Sequence, residues 1–304
     1  MHPAPSIILF TVLSGFGFGL ISIVGLLQFL NQISTVDIVI FSVIGLFFSI
    51  IGLISSFFHL ANKKNAIKSM SQWQTSWLSR EAISSIFCLS IVVGNIGWIF
   101  VLNMYINEVG IILFLLSLIT VFTTSMIYAQ LKTVPSWNNM LTTTLFIFAA
   151  LAGGSILITD HASLVLLLIF AVLQVLFWYI ADQSFIDKET TVGTALGFSK
   201  NEDIRAFDAA HTNRNYLLNE MVYKVARKHA IKLRYISFFA AFVLPMSLIL
   251  MFPGNFSMSV LVIGIHFVGI YFSRWLFFAE AKHSVSFYYN LILIEYEVCF
   301  INVC

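Results

Sequence analysis

Long apolar runs recur along the chain, separated by short polar breaks. They occupy residues 6–29, 38–60, 83–102, 109–128, 140–158, 164–181, 235–251 and 258–278. About 20 apolar residues are needed to carry a helix across ~30 Å of hydrocarbon. Backbone polar groups inside hydrocarbon must be satisfied within the segment, so these runs are expected as helices rather than strands. The breaks carry turn residues, as in NQIST, TVPSW, TDHAS and FPGNFS. The pattern therefore predicts an all-α, polytopic membrane bundle of about eight transmembrane helices, forming a single unit over residues 1–304. The first run follows MHPAP, with no basic stretch ahead of it and no small-residue cleavage pattern, and is read as a retained helix.

Composition agrees with this reading. Of 304 residues, 59% are hydrophobic and 10% charged, where soluble domains carry about 25% charged residues. The net charge of +2 gives no reason to expect a nucleic-acid partner. Cys88, Cys299 and Cys304 form no CxxC pair, so no metal site is expected in this chain.

The distribution of charge says more than its total. Numbering the runs in order puts both termini and the 2–3, 4–5 and 6–7 loops on one side. All sixteen lysines and arginines fall there: Lys63, Lys64, Lys68, Arg80, Lys132, nine within 182–234, Arg274 and Lys282. The opposite loops hold Asp37, Glu108 and Asp160. The positive-inside rule makes the basic side cytoplasmic, with both termini inside. The 182–234 segment is the one sizeable extramembrane piece. Its second half, NYLLNEMVYKVARKHAIKLRY, has helical periodicity with basic residues opposite the apolar ones, as expected of an interfacial helix or a docking surface for another subunit.

Candidate chemistry collects at the 2–3 corner. The second run ends SSFFHLANKKNA, placing His59 in its last turn, and the loop ends SWLSREAISS, placing Arg80 and Glu81 at the start of the third. A short loop between antiparallel neighbours would bring these ends together at the hydrocarbon boundary, beside Trp73 and Trp77. Ionisable groups at that depth are costly and mark function by default. An imidazole and a carboxylate can take up in turn the two protons released when a quinol is oxidised. The alternative is structural, with His59 satisfying a helix C-terminus and Glu81 capping the next helix. His266, alone inside the eighth run, is expected to be a hydrogen-bonded packing residue. Arg274 is close enough to a helix end to snorkel, with Glu280 as a possible partner, or else to orient a polar headgroup. Gly153 and Gly154 in LAGGS are expected to allow close helix approach. No phosphate loop, nucleophile elbow, zinc motif or nucleotide fingerprint is present, and the extramembrane mass is too small for a catalytic domain.

Taken together, four stretches resemble the dimethyl sulfoxide reductase anchor subunit family. They are HPAPSIILFTVLSGFGFGL; FFHLANKKNAIKSMSQWQTSWLSREAI, where the family has a helix ending His-Leu-Gly, a basic loop, then Leu-Ser-x-Glu; LKTVPSWNNMLTTTLFIFAALAGG; and HTNRNYLLNEMVYKVARKHAIKLR with SRWLFFAEAKHSVSFYY. After His59 the chain departs from the family, reading LANKKNA with alanine in place of the glycine. The resemblance implies an eight-helix anchor in the bacterial plasma membrane. It implies that an iron–sulfur subunit links this anchor to a catalytic subunit carrying molybdenum and bis-pterin guanine dinucleotide. It further implies oxidation of menaquinol in anaerobic respiration, with electrons passed to the nearest iron–sulfur cluster. The family's quinol-interacting histidine and acidic residue map onto His59 and Glu81, with Arg80 and Trp77 beside them in the quinol-binding corner. Two other classes remain open as alternatives, a small secondary transporter and an anchor carrying haem b.

Overall fold

The computed structural model describes residues 4–58, 67–187 and 229–281. The basic amphipathic pattern of 215–228, His59 and the tail beyond 281 lie outside the described residues. Eight helical elements follow one another: α1 (Pro5–Phe29), α2 (Thr35–Phe57), α3 (Trp77–Leu102), α4 (Asn107–Ala129), α5 (Met140–Ser155), α6 (Asp160–Asp187), α7 (Ala230–Met251) and α8 (Phe256–Ala279). A short 3₁₀ turn, Ile67–Gln72, precedes α3. Seven of these helices are long and apolar enough to cross a bilayer, while α5 has 16 residues.

Helix ends differ from the hydropathy reading where polar residues belong to helices. The third helix begins at Trp77 rather than 83, so Arg80 and Glu81 lie on its first turns. The sixth continues to Asp187 and the seventh begins at Ala230, taking in the last residues of the amphipathic pattern. Side-chain caps fix other starts: Ser34 accepts from the Asp37 N–H, Asn139 from Thr142 and Asn255 from Met258.

Cross-links between helix ends show the up-and-down order directly. On the basic side, the Ser55 hydroxyl at the end of α2 donates to the Ser6 carbonyl at the start of α1. Trp137 in the 4–5 turn donates its indole N–H to the Phe277 carbonyl near the end of α8. Arg234 at the start of α7 makes a bidentate contact with Asp182 of α6, both bonds 2.7 Å, and also reaches Glu280 beyond α8. On the other side, Gln28 at the end of α1 binds Asn95 of α3 and the Ile106 carbonyl, and Asp160 accepts from the Gly254 N–H of the 7–8 turn. Each helix therefore enters where its predecessor left, α5 included, and among the described residues Lys68, Arg80, Lys132, Lys232 and Arg234 lie at the ends on one side.

The hub is α1, with 78% of its apolar window buried against 28–44% for the other long spans. Small residues make this possible, because a span in lipid gains its association from close packing rather than from water exclusion. A Cβ on Gly17 would collide with Ser49 and Gly45 of α2, one on Gly25 with Gly110 of α4, and one on Gly19 with the Ala150 backbone of α5. Gly154 of α5 faces the Gly19–Leu20 backbone in return, as the LAGGS motif leads one to expect.

In α7 a π-helical stretch, Phe239–Val243, precedes Pro245. Proline lacks the N–H that would bond to the carbonyl four residues earlier, so the Ala241 carbonyl is released from the ladder. His266 of α8 takes it up, its Nδ1 donating at 2.8 Å. His266 is thus the hydrogen-bonded interior residue expected from the sequence.

Replacing Gly154 with leucine should force α5 away from α1, an overpacking cost of about 1–3 kcal/mol, whereas the same change at Gly94, with open space around its Cβ position, should be tolerated. Comparing thermal midpoints of the two detergent-solubilised variants checks this; equal midpoints would refute the seam.

Candidate functional site

The helix 2–3 corner divides by direction. Arg80 points outward: its Nε donates to the Trp73 carbonyl at 2.9 Å and an Nη to the Gln74 carbonyl at 2.6 Å. Its guanidinium carbon lies 4.3 Å from the Trp77 ring centre, and Trp77 meets Phe122 of α4 edge to face. Arg80 thereby clamps the loop onto the start of α3. Glu81, one residue on, points inward and is buried. Its Oε1 accepts from the Thr124 hydroxyl at 2.5 Å. The N-cap position is Ser76, so Glu81 stands one turn inside the helix and does not cap it. Beside this bond Ser84 and Thr123 place their hydroxyls 3.3 Å apart.

The geometry departs from the expected corner in one respect. α2 packs mainly on α1, and α3 mainly on α4. The carboxylate consequently looks toward α4 rather than along the 2–3 loop, and its partner is a threonine that hydropathy gives no reason to single out. A signal was present, since polar residues recur in TVFTTS, where the run is otherwise apolar.

Thr124 also lines a cavity of about 20 Å³ between α1, α4, α5 and α8, room for about one water. Thr11 and Ser14 of α1, Gly153 of α5, and His266 and Arg274 of α8 share its wall. Arg274 overturns the snorkelling expectation. It is buried, its guanidinium carbon 3.7 Å from the Phe146 ring centre, while Glu280 bonds Arg234 instead. The reason is steric: Arg274 sits on the helix face of Ile270 and His266, which α1 and α5 cover, so it has no path to the interface. Around it Tyr128, Trp137, Phe146, Phe277 and Phe278 form a continuous aromatic cluster, with Trp137 stacked on Phe277 at 5.1 Å. Among the described residues no group of His, Cys, Asp and Glu is arranged to hold a metal ion.

Comparison with known proteins adds two findings. A curated relative, a sulfite dehydrogenase subunit of Allochromatium vinosum, is 26% identical over 325 residues, covering 96% of this chain and all of that protein. The family described as "DMSO reductase anchor subunit (DmsC)" matches residues 1–279, from the N-terminus to the end of α8. With that match over every described helix, the chain belongs to the DMSO reductase anchor subunit family.

Proposed function

We propose that this chain anchors a molybdoenzyme-type reductase complex in the bacterial plasma membrane and oxidises menaquinol for it in anaerobic respiration. The observation that carries the reading is Glu81, a carboxylate buried at the rim of the bundle with the Thr124 hydroxyl bonded directly to it. A carboxylate so placed is costly as mere structure and apt as a proton acceptor. The quinol enters laterally near the ends of α2 and α3. His59 hydrogen-bonds one quinol oxygen and takes its proton, and Glu81 receives the other. Two electrons leave to an iron–sulfur cluster of a partner subunit docked on the same face, whose catalytic partner holds the molybdenum and bis-pterin. Arg80, braced by Trp77, closes the corner on the headgroup side. The basic face and both termini are assigned to the cytoplasm from charge alone.

In membranes containing the assembled complex, His59→Ala and Glu81→Gln should each lower menaquinol-dependent turnover by roughly a hundredfold, with partner subunits still co-purifying. Normal quinol-linked turnover in His59→Ala would sink the assignment. Thr124→Val keeps the side chain's shape but removes the donor to Glu81. Its menaquinol-dependent rate should fall by about tenfold, while reduction of the complex by an artificial water-soluble donor stays unchanged. Reporter fusions after residues 68 and 160 should give opposite topology signals, the first cytoplasmic; the reverse pattern would transfer the whole basic face to the other compartment.

A further inference from the structure

Hydrocarbon tolerates a charged side chain where a partner, water or a cavity receives it. Among the described residues, two Asp, Glu, Lys or Arg side chains are buried: Glu81 and Arg274, each 4% exposed and of opposite sign. They come from different helices, α3 and α8, far apart in sequence, yet both lie close enough to the buried Tyr128 for their charges to act on it. The Glu81 carboxylate is bonded to Thr124, and Thr124 and Arg274 line the same cavity.

Arg274 brings five N–H donors to that cavity. The Phe146 face beneath it balances part of its charge but leaves the in-plane donors to find oxygen. Among the described residues no carboxylate stands within ion-pair distance of it. The cavity has room for about one water, and its wall can hold one. Thr11 and Ser14 give their hydrogens to the Ile8 and Phe10 carbonyls, so their oxygen lone pairs remain to accept. His266 uses Nδ1 on Ala241, and its other ring nitrogen lies near Gly153, on the cavity wall.

We propose that Arg274 is the counter-ion of Glu81, the two joined through Thr124 and a single water held in the cavity between α1, α4, α5 and α8. The functional half of this inference rests on the reading of Glu81 as part of the quinol site. Within that reading Arg274 is a positioning residue: it never touches quinol, but balances the carboxylate's charge and fixes the direction in which the carboxylate points. A buried pair of this kind has a distinct energetic signature. Removing one member leaves an uncompensated charge in low dielectric, whereas removing both leaves two neutral groups that share the same water.

The test uses the anchor purified with its native partner subunits, as wild type, Glu81→Gln, Arg274→Gln, Arg274→Lys and the double variant Glu81→Gln/Arg274→Gln. Each single glutamine variant should lower the thermal midpoint, and the double variant should recover most of the loss. Losses that simply add would overturn the pairing. Where Arg274→Gln fails to assemble, assembly of the double variant is the same positive result, and failure of both overturns the proposal. Menaquinol-dependent turnover should fall by roughly tenfold or more in Arg274→Gln and be largely retained in Arg274→Lys, a rescue that lost packing alone would not give. Wild-type turnover in Arg274→Gln removes the positioning role. Normal turnover in Glu81→Gln instead removes the quinol reading, and the midpoint coupling then still decides whether the two charges are partners.

Discussion

Between Gly19 and Gly154 the backbones of α1 and α5 run so close that no Cβ fits between them. In a bilayer, where apolar side chains gain nothing by leaving lipid for protein, such contact is the main source of helix association. It draws α1 into the middle of the bundle, and the seams through Gly17 and Gly25 pack α2 and α4 onto its other faces. The cavity owes its position to the same crowding. It lies where α1, α4 and α5 meet α8, with Phe16, Phe146 and Phe267 on its wall.

The polar groups inside the bundle fall into two sets. Many hydroxyls bond within their own helix, as Ser117 does to Leu113 and Thr120 to Leu116, and so disappear from the energetics of packing. A smaller set crosses between helices. Gln28 with Asn95 ties α1 to α3, Ser273 with Gln174 ties α8 to α6, and Glu81 with Thr124 ties α3 to α4. Of these three links, the last includes a carboxylate, and it lies on the basic side. The other two links join an amide to an amide or to a hydroxyl and fix the register of their helices.

Much of this was legible in the sequence. The apolar runs set the helix number, the lysine and arginine sorting set their alternation, and Ser-Arg-Glu after the loop tryptophans drew attention to Glu81. What stayed hidden depended on which helix lies beside which. Hydropathy suggests that α3 should lean on α2, its neighbour in sequence, whereas close packing assigns it to α4, and Thr124 becomes the partner for that reason. Arg274 was misread for a related cause. Its distance from the helix end is a property of sequence, but the covering of its face by α1 and α5 is not. Pro245 and His266 show the opposite case, in which a local rule about proline and a lone histidine find each other only across two helices.

The shortness of α5 has a consequence for the chain that follows it. Sixteen residues span about 24 Å at 1.5 Å per residue, several ångströms less than the hydrocarbon slab. The deficit is made up by the turn that follows, where Ile156, Leu157 and Ile158 carry the apolar run on against the core before Asp160 holds the Gly254 amide. Beyond Ser155 the backbone has to satisfy its own polar groups, as it does where the Ile158 and Thr159 N–H groups both bond the Ser155 carbonyl, so the span reaches the edge of the slab without baring them to lipid.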